Sequence, residues 1–243
     1  MPVISAKSYV KPILPELIDA YEAGGAEALT ALLRKQILKE KIKFPVLEYT
    51  ARELFSAIPD KEQLQVCDLI SDLHEIGGNV FLGIALQMRL SKHFNECFRK
   101  APEYMMAGNE WYVCDIIGER VMGYALLMYP KKTIPVLKKL AAHPDKWVVR
   151  SVGVGAHYAI KKGLKKEHVK DMFELLLSLS TTTDFHTKKG IGWAAKTTAK
   201  FHPDIIQAYQ QQITTSADIR PWFKTKIKIG LGRSSKYAKR HTG

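Results

Sequence analysis

Three helical-looking stretches carry residues that could do chemistry on a charged, flat substrate. In "NEWYVCDIIGERVMGY" (109–124), Trp111 and Asp115 are four positions apart. On a helix that spacing puts an indole and a carboxylate on one face, one turn apart. In "DKWVVRSVGVGA" (145–156), Trp147 precedes Arg150 by three positions. In "DFHTKKGIGWAA" (184–195), Lys189 precedes Trp193 by four. Three of the four tryptophans therefore sit about a turn from a charged residue. Arg150 and Lys189, backed by Lys146 and Lys188, suit phosphate oxygens, contacts that hold a nucleic acid without reading it. The indoles of Trp111, Trp147 and Trp193 offer stacking faces to bases or sugars. Asp115 does not belong to such a set for affinity, because a carboxylate repels phosphate. It suits a centre that is positive or becomes so, such as a cationic base or an oxocarbenium-like sugar. The bland alternatives are an Asp115–Arg150 ion pair, tryptophans in the core, and lysines on solvated faces.

The three stretches also resemble one another. Asp145, Arg150, Gly153 and Ala156 fall on Asp184, Lys189, Gly192 and Ala195 at a constant offset, and Asp115 and Gly118 fall on Arg150 and Gly153. A charged residue followed three positions later by glycine thus recurs three times. A period of roughly 35–40 residues lies in the range of HEAT- and armadillo-type repeats. Glycine inside a helix costs roughly 0.5–1 kcal/mol relative to alanine, so matched glycines point to close helix approach or to room for a ligand.

The elements around these residues read as helices throughout. Apolar periodicity marks 26–42, 45–58, 60–78, 79–95, 111–129, 132–142, 146–162, 165–180, 184–201 and 203–213. Asp60 stands where a cap for the third of these would be. Short links rich in Pro, Gly and Thr join them, and no alternating strand pattern closed by a hairpin turn appears. The fold expected is all-α: a right-handed superhelical solenoid of antiparallel HEAT-like helix pairs with a concave basic face. Residues 1–231 form one repeat domain, and 232–243 a flexible basic tail.

The chain has 243 residues, 46% of them hydrophobic, enough for a core without disulfides or metals. Its formal net charge of +13 favours a polyanionic partner. Cys67, Cys97 and Cys114 form no C-x-x-C pair and read as reduced core thiols. The eight histidines show no zinc spacing, so no metal or organic cofactor is expected. No apolar run is long enough to cross a membrane, no signal peptide is evident, and a cytoplasmic monomer is expected.

"WYVCD", "DKWVVRSVGV" and "DFHTKKGIGWAAKTTAKFHPDII" resemble the AlkD-type DNA alkylation repair glycosylases, built from HEAT-like repeats. The most specific piece is Lys189, Gly192, Trp193, Pro203 and Ile206 at their spacing. The resemblance covers about 109–230, and residues 25–100 agree only in being helical. It implies excision of cationic alkylated purines, 3-methyladenine and 7-methylguanine, from double-stranded DNA, with no need to flip the base. It implies that Trp111 and Trp193 pack on the lesion's deoxyribose, that Asp115 stabilises the oxocarbenium and helps place water, and that Arg150 holds the backbone. Glu110 stands where the family commonly has a second tryptophan, Tyr112 where an acidic residue is common, and "KIKFPVLEYTAR" lacks the family's N-terminal glycine. The alternatives are a noncatalytic HEAT-repeat protein for damaged or branched DNA and a protein-interaction scaffold.

Overall fold

The computed structural model describes residues 3–241, which divide into two compact units, Met1–Ile117 and Gly118–Gly243. Helices make up both, and among the described residues the only strand-like pairing is an isolated bridge between Ile4 and Ile42.

In the first unit the helices are α1 (Ile13–Leu33), α2 (Phe44–Ala57), α3 (Gln63–Asp72), α4 (Gly78–Arg89), α5 (Phe94–Gly108) and α6 (Trp111–Gly118), whose last residue opens the second unit. α1 begins well before the periodic stretch at 26–42 and bends at Gly24 and Gly25. Gly25 has φ +69°, a backbone state that favours glycine. A π-helical segment, Arg34–Leu38, extends it. α4 is buried on every side, as a helix apolar all round must be. At its end the buried Arg89 binds the carboxylates of Asp60 (2.8 Å) and Glu96 (2.8 Å). Asp60 therefore does not cap α3, which starts three residues later with no side-chain cap. Its carboxylate serves Arg89 and His93 instead. α5 was not evident from the sequence, because Pro102 lies inside it. It ends on Asn109 in the left-handed region (φ 47°), a conformation asparagine tolerates.

The second unit holds a π-helical segment (Glu119–Gly123), α7 (Tyr124–Met128), α8 (Pro130–Leu140), α9 (Lys146–Lys161), α10 (Lys166–Ser178), α11 (Phe185–Phe201), α12 (Pro203–Ala208), α13 (Gln210–Thr215) and α14 (Pro221–His241). The expected helix at 111–129 is thus two α-helices joined by a π-helical turn. α14 carries helix through 232–241, in the stretch set apart as a tail. Residues 242–243 of that tail lie outside the described residues. The three cysteines are buried and take part in no disulfide.

The repeated glycines explain themselves here. A side chain on Gly118 would meet Val154 and Ser151 of α9. One on Gly153 would lie 2.3 Å from the Gly190 carbonyl carbon of α11. One on Gly192 would lie 3.0 Å from Lys226 of α14. Each equivalent glycine admits the next helix of the series. The N-caps repeat too: Asp145 accepts from the Trp147 and Val148 amides, and Asp184 from the Thr187 amide.

Gly153→Ala is expected to destabilise the protein, because its methyl would strike backbone that cannot swing aside. The loss is about 1–3 kcal/mol by urea unfolding. Gly232→Ala, where the space is open, should be neutral or stabilising.

Candidate nucleic-acid interface

α6 brings Trp111 and Asp115 to one face, as the spacing requires. Val113, Cys114, Ile116 and Ile117 are buried, which fixes the rotation of the helix. Trp111 is left 53% exposed at its first position and Asp115 half-buried one turn on. The Trp111 ring meets the Tyr112 ring edge-on at 5.9 Å. Glu110 precedes the helix and is exposed. By the repeat it stands where Asp145 and Asp184 cap α9 and α11. A helix N-terminus favours negative charge there, which gives Glu110 a local reason.

α9 departs from expectation. It is buried over nearly its whole length, and two residues read as nucleic-acid contacts go with it. Trp147 is only 3% exposed. Its ring lies 4.3 Å from the His186 ring of α11, with Lys146 Nζ 4.9 Å over it. It is a packing residue at the α9–α11 seam and not a stacking platform. Arg150 is 6% exposed, and its Nη1 donates to the His186 carbonyl oxygen at 3.0 Å. At least one of its donors is engaged in tying α9 to the start of α11. Lys146, the first residue of α9, stays exposed.

On α11, Lys189 is exposed and Lys188 half-buried. Lys189 Nζ lies 5.0 Å over the ring of Phe185, a residue that the sequence reading passed over. Phe185 is 59% exposed at the helix start. The signal was available: it falls off the buried stripe of Thr187, Gly190, Ile191, Ala194 and Ala195. Trp193 is half-buried, and one of its faces stacks on the His157 ring, with centroids 3.9 Å apart and planes at 22°.

His157, also missed, is held in turn. Its Nδ1 lies 2.6 Å from Thr197 Oγ1, and that hydroxyl donates to the Trp193 carbonyl oxygen at 2.9 Å. The single Thr197 proton being used there, Nδ1–H of His157 is the donor to Thr197. Burial, then the nearby Lys161 and Lys196, lower the His157 pKa to about 4. A histidine lowered in the folded state favours folding while neutral. Its contribution is complete above the ordinary value near 6.5 and is lost as pH falls toward 4. Urea unfolding at pH 7 and pH 4.5 should show the loss, on the order of 3 kcal/mol across the whole window. His157→Gln should make that pH dependence shallower.

No curated protein sequence matches the chain. A crystal structure of an engineered protein from a structural genomics consortium shares 15% identity and a TM-score of 0.46, covering 92% of this chain and 97% of that one, a likeness too slight to bear on fold or activity. A family model described as DNA alkylation repair enzyme matches residues 14–220. The match spans both units and takes in α6, α9 and α11 with their tryptophans and cations. The chain belongs to the DNA alkylation repair enzyme family.

Proposed function

We propose that the protein is a monofunctional DNA glycosylase that hydrolyses the N-glycosidic bond of cationic alkylated purines, 3-methyladenine and 7-methylguanine, in duplex DNA and leaves an abasic site. The observation that carries the proposal is Asp115 half-buried on the face of α6 that exposes Trp111, in a chain of this family with a net charge of +13. The base is already positive, so it leaves as a neutral species and needs no proton from an acid. The sugar it leaves becomes oxocarbenium-like, and the Asp115 carboxylate stabilises that charge and helps place the attacking water. Trp111 and Trp193 pack on the deoxyribose. Lys146, Lys188 and Lys189 hold phosphates. Arg150, tied to the His186 carbonyl, acts by fixing the start of α11 as well as through its charge. Water is the nucleophile, so Lys189 forms no Schiff base and borohydride traps no protein–DNA adduct. The same reading takes the helix pairs as HEAT-like repeats of a right-handed solenoid, supported by the glycine that recurs where each helix admits the next.

The test is release of 7-methylguanine from a defined duplex in single turnover. Asp115→Asn should bind the duplex as the wild type does and release base roughly 10²–10³-fold more slowly, the scale for losing one preorganised electrostatic group. No release by the wild type with duplex binding intact would instead establish a noncatalytic DNA-binding protein.

A further inference from the structure

α14 contributes cations that the repeat pattern does not mark. Lys226 and Arg233 are seven residues apart on it, two turns along one face. On α11, Lys189, Trp193, Lys196 and Lys200 follow at spacings of four, three and four, also one face. The two helices approach closely. The Lys226 stem and the Trp222 ring close over Gly192. A side chain on Gly230 would lie 2.4 Å from the Lys196 carbonyl oxygen. Lys196, Lys226 and Arg233 are thereby gathered at one seam.

Their charge is uncompensated. Where a lysine of this chain packs closely against another element it can have a carboxylate: Lys100 has Asp68 at 2.8 Å, Lys39 has Glu75 at 2.8 Å, and Lys166 has Asp204. Among the described residues Lys196, Lys226 and Arg233 enter no ion pair. Burial, with Arg233 and Lys226 beside it, pushes the pKa of Lys196 below the usual lysine value. Lys161 adds a fourth cation near His157. Like charges gathered without a counter-charge oppose folding. Such a cluster is retained where a ligand brings the negative charge.

We propose that Lys196, Lys226 and Arg233 form a phosphodiester-binding site across the α11–α14 seam, on the face of α11 that carries Trp193. The proposed DNA activity names the polyanion; the site itself rests on the cation cluster.

The experiment measures binding of an unmodified 20-base-pair duplex across a salt series. It compares the wild type, Lys226→Gln/Arg233→Gln, and Lys139→Gln as an exposed lysine of α8. The double variant should weaken binding by roughly tenfold per contact at 0.1 M salt and reduce the log–log salt slope by about two. Lys139→Gln should do neither. Without DNA, the double variant should melt at the wild-type temperature or above, and inorganic pyrophosphate should raise the melting temperature of the wild type more than that of the variant. An unchanged slope would make the cluster ordinary solvated charge. A lower melting temperature together with lost binding would make it a structural element. Either result overturns the site. Because unmodified duplex is bound and no base need leave, absence of 7-methylguanine release would count against the glycosylase and leave this site standing. Normal release by the double variant with an unchanged slope would do the reverse.

Discussion

The contact on which the second unit depends is backbone against backbone, where Gly153 of α9 meets Gly190 of α11. Ordinary helix pairs keep their axes 8–10 Å apart on a layer of side chains. Here that layer is missing at the crossing, and the residues just outside it are pressed together. Arg150 reaches the His186 carbonyl, Trp147 is closed under the His186 ring, and His157 is brought flat against Trp193. The placement of the candidate residues on α9 and α11 thus follows from two residues that carry no side chain. The helix propensity given up at each, roughly 0.5–1 kcal/mol, is offset by the contacts the approach allows.

What was legible in the sequence followed from periodicity and spacing. The helices from 111 to 213, the Trp111–Asp115 face and the repeated glycines all depend on local pattern, which a single chain carries openly. α5 was hidden by Pro102, a helix breaker that is buried inside the helix all the same, and the first half of α1 by Gly24 and Gly25, where the backbone does leave helical geometry and the helix kinks. Asp60 was misread because a capping position and an ion-pair position look alike until Arg89 is placed. Trp147 and Arg150 stood among the nucleic-acid contacts, with the core and an ion pair as their alternatives, because charge and aromaticity mark a residue type and not its exposure. His157 and Phe185 were missed because each matters through a neighbour on another helix or through its exposure, which spacing within one segment cannot show; Lys226 and Arg233 stand out only as part of a basic C-terminal stretch until α14 is set against α11.

Charge is distributed unevenly in kind. In the first unit, cations such as Arg89, Lys100 and Lys39 are tied to carboxylates and contribute to packing. In the second, Lys196 of α11 has Lys226 and Arg233 of α14 beside it, neighbours of its own sign. The net charge of +13 is therefore not a uniform property of the surface. Part of it is neutralised locally, and part is left to act on whatever approaches.

The stack of Trp193 on His157 determines what kind of face the indole has left. One side is covered by the imidazole, so the ring can receive a ligand from one side only. Held by Thr197 and lowered to about 4, that imidazole is neutral near pH 7. An imidazolium in its place would draw on the π-electrons from beneath. A neutral ring leaves the indole quadrupole intact, and with it the negative potential of the face that the imidazole does not cover. The ring keeps its attraction for a positive group at the very place where the surrounding lysines would repel one.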